Sequence, residues 1–199
     1  MDRSTFLKRL SRELYPILRT EGFKGSGTTL RRINDPVAHV FNFQGSSGSG
    51  RCYLNLGVHL LFLTPLGAGE LVASKLAEPE CFIRDRLHPP PGFEFGWSYG
   101  QTTEEMEENI ACICEYWGLY GQAFFERYTD YPGAFQEVIE EADETSMRPG
   151  VLKTYAQIAE HLGDRERAKV FVEEALRRCP ERATSLRANL ERMLADGYS

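Results

Sequence analysis

Two stretches of alternating residues place Asn42 and Gln44 on one expected strand and Tyr53, Asn55 and His59 on the next, while Arg84 and Arg86 alternate on a third. Residues two apart in a strand share a face, so a hairpin register that aligns the stretches collects all seven on one side of a sheet. Three amides, a phenol, an imidazole and two guanidinium groups can hold an anion or a polar ligand through charge-assisted hydrogen bonds. As a catalytic set they are poor. No nucleophile stands beside a base, and His59 is the group expected to titrate near neutrality. The chemistry on offer is binding, with weak hydrolysis as its outer limit. The opposing reading is that these are buried amides bonded to neighbouring loops, and that Arg84 and Arg86 answer Asp85 and the acidic segment.

A second set is the carboxylate run Glu104, Glu105, Glu107 and Glu108. It lies in residues 101–149, which hold 12 Asp/Glu against 2 Lys/Arg, whereas residues 1–100 hold 9 against 12 and residues 150–199 hold 8 against 9. That balance, within a net charge of −6, argues against nucleic acid as a partner and makes a basic protein partner one reading of the run. A solvated, Glu-rich helix face is the other.

Other features carry less. The Gly45–Gly50 loop has the glycines of a phosphate cradle, but it opens onto a strand and brings only Arg51, so phosphate binding is not expected there. Ser46, Ser47 and Ser49 have no adjacent base. Phe93, Phe95, Trp97 and Tyr99 recur at period two, either as a recognition surface or, the commoner case, as core beneath a helix. Five cysteines (Cys52, Cys81, Cys112, Cys114, Cys179) include no Cys-x-x-Cys pair, and His39, His59, His88 and His161 stand at no ligand-like spacing. No disulfide framework, metal site or cofactor is expected. Free thiols, no apolar run of about 18 residues and no signal-like apolar start make a cytoplasmic location, without membrane contact, the expectation.

Periodicity and turn chemistry define the elements that would position these residues. Ser4 or Thr5 caps a helix carrying Phe6, Leu10, Leu14, Ile17 and Leu18, with Pro16 expected to kink or split it near Tyr15 and Gly22 to stop it. Thr28–Asn34, Val37–Gln44 and Arg51–Leu63 form an antiparallel meander with a turn at Asn34-Asp35-Pro36. The last strand sets Cys52, Leu54, Leu56, Val58, Leu60 and Phe62 against a core, and Arg51, Tyr53, Asn55, Gly57 and His59 on a wetter face. The chain breaks at 64–70, a short helix or irregular excursion fills 70–77, and a strand over Cys81–Leu87 puts Cys81, Ile83 and Leu87 together. Thr102-Thr-Glu-Glu105 is a capping box. It opens a helix whose stripe is Met106, Ile110, Ile113, Trp117, Tyr120 and Phe124, with a bend or a short break expected at Gly118 and Gly121, before Ala123 to Tyr128. Phe135, Val138, Ile139 and Ala142 form a further amphipathic set, and Arg148-Pro149-Gly150 is the expected linker.

The order from Phe6 to Phe125 resembles the bacterial domain-of-unknown-function 4304 family. The resemblance lies in Gly22-Phe23-Lys24, Thr29-Leu30-Arg31-Arg32, Phe41-Asn42-Phe43-Gln44, Leu54-Asn55-Leu56-Gly57-Val58, Glu80 to Leu87, Trp97 and Phe124-Phe125-Glu126-Arg127-Tyr128. It covers about residues 6–128, implies an α+β domain and supplies no activity; Phe82 stands where the family often has a histidine. The tail, Leu152 to Leu176, resembles one tetratricopeptide unit, which needs neighbours to bury its faces.

The expectation is an α+β fold. An antiparallel sheet of four to five strands carries N-terminal and central helices on one face over residues 1–148, and a helical, tetratricopeptide-like tail fills 149–199. Its expected role is non-enzymatic protein interaction with an unknown partner, an immunity-type antagonist of a basic toxin being one version. The alternative is a polar or anionic ligand site, or weak hydrolase, on the polar sheet face. Self-association through the C-terminal helices is a third expectation.

Overall fold

Asp2 opens the N-terminal helix, its carboxylate accepting the Ser4 and Thr5 N–H groups at 2.8 and 2.9 Å. The cap is therefore Asp2, ahead of the expected Ser4 or Thr5. The helix, α1 (Arg3–Thr20), runs unbroken through Pro16. Pro16 and Arg12, the residue four before it, both face solvent, so the carbonyl that loses its donor can bond water. Phe6, Leu10, Leu14 and Leu18 form its buried stripe. Gly22, at φ +90°, ends it: Gly22 N–H donates to Arg19 O and Phe23 N–H to Leu18 O, the paired bonds of a left-handed helix stop. The structure, a computed structural model, describes residues 1–46, 48–63, 71–92 and 96–197, with side chains through 195. Residues 64–70, Ser47, Phe93 and Phe95 lie outside the described residues.

Two compact units divide between Thr129 and Asp130. The first holds an antiparallel sheet in the order β1-β2-β3-β4-β5, comprising Lys24–Ser26, Thr29–Asn34, Val37–Gly45, Arg51–Leu60 and Ile83–Arg86, with β6 (Trp97–Ser98) on β4. Leu54, Leu56 and Val58 pair with Phe43, Phe41 and His39, so these residues share one face. Helix side chains cover it: Phe6 lies 6.3 Å from Phe43, Tyr15 6.2 Å and Trp117 5.7 Å from Phe41, and Phe125 5.0 Å from His39, centroid to centroid. The other face is not uniformly wet. Ala38 and Val40 form a second small core with Leu76 and Cys81, beneath 3₁₀ turns at Ala73–Lys75 and Glu78–Glu80. Cys81 thus parts from Ile83, because the strand begins only at Ile83 and the alternation does not reach back to the thiol.

After Thr102, whose hydroxyl accepts the Glu105 N–H at 3.2 Å, come α2 (Thr103–Tyr116), a π turn (Trp117–Gly121) and α3 (Gln122–Arg127). The irregularity expected at the glycines takes the form of a π turn. Its extra residue rotates the helix beyond it by about 100°. Met106, Ile110, Ile113 and Trp117 are buried as expected, but Tyr120 is 58% exposed, and Gly121 and Phe125 take the inward positions expected of Tyr120 and Phe124.

The second unit contains α4 (Gly133–Glu140), α5 (Pro149–His161), α6 (Arg165–Arg178) and α7 (Thr184–Gly197). Pro149 and Gly150 form the first turn of α5, where a missing N–H costs nothing. Asp164 caps α6 through the Arg167 N–H, and Leu152, Ala156, Ala159, Ala168, Phe171, Val172 and Ala175 are buried, with Tyr155 edge-on to Phe171.

Candidate functional site

The antiparallel register puts four polar residues from four strands in one row: Thr29 opposite Asn42, Asn42 opposite Asn55, and Asn55 opposite Arg86. Directly opposed side chains lie close enough to bond, and these do. Arg86 Nε donates to Asn55 Oδ1 at 3.1 Å, Asn55 Nδ2 to Asn42 Oδ1 at 3.3 Å and to Gln44 Oε1 at 3.0 Å, and Asn42 Nδ2 to Thr29 Oγ1 at 2.9 Å. In the neighbouring row Gln44 opposes Tyr53, and the Arg86 guanidinium stacks 4.4 Å above the Tyr53 ring. Five of the seven expected residues therefore form one connected cluster. Asn55, 3% exposed, is its centre, while Gln44 and Arg86 reach solvent. The amides bond mainly to one another and to Thr29 rather than to neighbouring loops, and the outer members Gln44 and Arg86 remain exposed.

The other two residues stand apart. Arg84 lies one row away, opposite Gly57, and forks onto Glu78 at 2.7 and 3.3 Å, so it answers a buried carboxylate rather than Asp85. That bond raises its pKa. His59 lies opposite Ala38 in the second small core, 4% exposed, and its ring nitrogens have no partner in hydrogen-bonding geometry among the described residues. Burial lowers its pKa against the opposing pulls of the Glu80 carboxylate and the Leu63 backbone, which moves it away from neutrality instead of poising it there. Gly57 has no side chain because none fits: a Cβ would sit 2.6 Å from Cys81 Sγ.

Glu104, Glu105, Glu107 and Glu108 line the exposed first turns of α2. Glu107 pairs with Arg9 at 3.1 Å, and Glu105 Oε2 accepts the Gln101 N–H at 2.6 Å. The acidic segment is also cut by the unit boundary, six carboxylates and one arginine falling on each side.

Sequence reasoning passed over Arg31 and Arg32. Adjacent residues of a strand must point to opposite faces, and that is the signal that was available. Arg31 Nε donates to Leu76 O at 2.6 Å on the face of the second core. Arg32 turns to the helix side, donating from Nε to His39 Nδ1 at 3.0 Å and from Nη1 to Glu21 O at 3.1 Å, with Phe23 and Phe125 at 5.1 and 6.0 Å from its guanidinium carbon. Burial, then the Arg32 charge, lowers the pKa of His39 to about 4, so the ring is neutral and its Nε2 faces Tyr128 O at 3.3 Å. Both arginines border a hollow of about 690 Å³ that also touches Lys24, Glu21, Ser74 and Thr129. A smaller apolar hollow of about 220 Å³ lies beside Trp97, Pro89 and Pro90. Neither hollow is lined by a residue of the amide cluster.

Among the described residues, no helix is long and apolar enough to cross a membrane, and no group of three His, Cys, Asp or Glu side chains is placed to hold a metal ion. A family model described as a domain of unknown function (DUF4304) matches residues 14–126. No curated protein and no solved structure matches the chain.

Proposed function

The chain belongs to the DUF4304 family, a domain of unknown function, and we propose that it is a non-enzymatic protein-interaction module whose polar sheet face docks a partner. One observation carries this reading: the Thr29–Asn42–Asn55–Arg86 row ends in an exposed guanidinium stacked on Tyr53. Arginine and tyrosine are the side chains that most often anchor interfaces. Here both are held in place before any partner arrives, which lowers the ordering entropy that docking must overcome. Arg86 commits Nε to Asn55, so its two Nη groups suit a partner carboxylate in forked geometry. Gln44 and Arg86 are exposed at the outer end of the cluster, which suits the docking of a protein surface.

The test is affinity capture from the native host lysate with the intact chain and with a Tyr53→Ala/Arg86→Ala variant, followed by calorimetry with the purified captured protein. Anchor residues of this kind cost roughly 2 kcal/mol or more when truncated, about 30-fold in affinity. A partner that binds both proteins equally, or capture of nothing by the intact chain, would refute the proposal.

A further inference from the structure

We propose that the hollow beside the free end of β2 is a second binding site, specific for a small anion with two negative charges of the phosphate or dicarboxylate class. It is independent of the amide cluster. β1 pairs only with Thr29, Leu30 and Arg31, so Arg32–Asn34 have no strand on that side, and the hollow of about 690 Å³ opens there. That volume lies within the range of small-ligand sites. The register sets Lys24 directly opposite Arg31. Like charges directly opposed across a strand pair repel, and among the described residues neither cation has a carboxylate in salt-bridge contact. A native structure carrying this repulsion gains by placing an anion between the two.

The surrounding charges define what fits. Arg32 also borders the hollow, but Glu21 and Glu126 act on it from the helix side. Glu21 Oε1 accepts Trp117 Nε1 at 2.9 Å and Gln122 Nε2 at 2.6 Å, which ties that carboxylate to the helix layer. Arg31 and Lys24 are left as the uncompensated pair, so a dianion matches them. Ser74 at the rim contributes a hydroxyl donor of the kind phosphate and carboxylate oxygens accept, whereas the Thr129 hydroxyl is committed to Phe125 O at 2.8 Å. Arg31 is held by its single Nε bond to Leu76 O, leaving its Nη groups for the anion.

The experiment titrates the intact chain at pH 7.5 with inorganic phosphate and, separately, succinate, following backbone amide shifts and calorimetry at low and moderate salt. Arg31→Gln and Lys24→Gln are the variants, and Arg86→Ala is the control. The expected result is saturable binding of at least one probe, with shifts concentrated at Lys24–Ser26 and Arg31–Asn34. Affinity should fall at least about tenfold in Arg31→Gln, weaken with salt, and stay unchanged in Arg86→Ala. Inorganic phosphate binding without succinate binding identifies the phosphate class, and the converse the dicarboxylate class. No saturation by either probe, or saturation that both glutamine variants leave intact, would overturn the proposal. Lys24→Gln provides a check that needs no ligand: removing one of two opposed cations should leave the protein at least as resistant to urea as the parent, and a clear loss of resistance would contradict the repulsion on which the site rests.

Discussion

Asn55→Ala is the perturbation that tests whether the amide row is one coupled structure. Asn55 is buried and makes three side-chain bonds, accepting from Arg86 and donating to Asn42 and Gln44. A made hydrogen bond contributes about 1 kcal/mol net. Gln44 and Arg86 are exposed and regain water when Asn55 is removed, so each contributes about half of that; half-buried Asn42 loses its full share. The sum is about 2 kcal/mol, or roughly 8 °C in Tm for a unit of this size. Tryptophan fluorescence in urea is the assay, because Trp97 and Trp117 both lie in Met1–Thr129 and report that unit alone. A Gln44→Ala partner completes a double-mutant cycle with an expected coupling of about 0.5 kcal/mol. A loss below about 0.5 kcal/mol for Asn55→Ala, or strictly additive losses in the cycle, would refute the coupling.

Two further perturbations use the same assay. Gly57→Ala forces a methyl to within 2.6 Å of Cys81 Sγ, so a loss of about 1–3 kcal/mol is expected from overpacking, partly recovered by adding Cys81→Ala; no loss would mean that the Glu78–Cys81 turn does not pack on β4. His39 has a folded pKa of about 4 against an ordinary 6.5, so the unfolded chain takes up a proton first as pH falls. Stability is complete above about pH 6.5 and is lost toward pH 4, by roughly 2 kcal/mol at pH 5. His59, shifted the same way by burial, adds to the slope. A urea midpoint that stays flat from pH 7 to 5, or an unchanged slope in His39→Gln, would contradict the burial of the ring.

How much was legible in the chain depends on what kind of interaction decided each feature. The β2–β3–β4 meander was readable because its alternation is long and its turns are marked by Asn34-Asp35-Pro36 and by glycine and serine. The polar cluster was readable only conditionally, since period two assigns a face but not which residue stands opposite which. The cover over the second face was not readable. It comes from two 3₁₀ turns with no periodicity, and their contribution rests on Leu76, Cys81 and the Glu78–Arg84 fork. The stripe of α2 extrapolated correctly to Trp117 and then failed, because one additional residue in the π turn exchanges Tyr120 for Gly121 and Phe124 for Phe125. Propensity marks Gly118 and Gly121 as irregular without saying which irregularity they produce. Packing decides it: the Trp117 ring, packed against Phe23 and Phe41, leaves no room for a Cβ on Gly121, which would lie 2.6 Å from it.

The polar row also constrains its own register, and this bears on how a loss of binding should be read. A one-residue slip of β4 on β3 would carry Asn55 to the helix-covered face and expose Leu54 and Leu56. An amide buried there without its partners costs about 1–3 kcal/mol, so the row penalises slipped pairings as well as stabilising the correct one. Mutations at Asn42 or Asn55 therefore disturb the scaffold and the surface together. Tyr53 and Arg86 do not share that ambiguity, because they sit at the outer end of the network, with Arg86 exposed and its Nε bond replaceable by water. Binding lost at those two positions, with the urea midpoint kept, assigns the effect to the presented face. Binding lost only at Asn55, together with stability, assigns it to the register that builds that face.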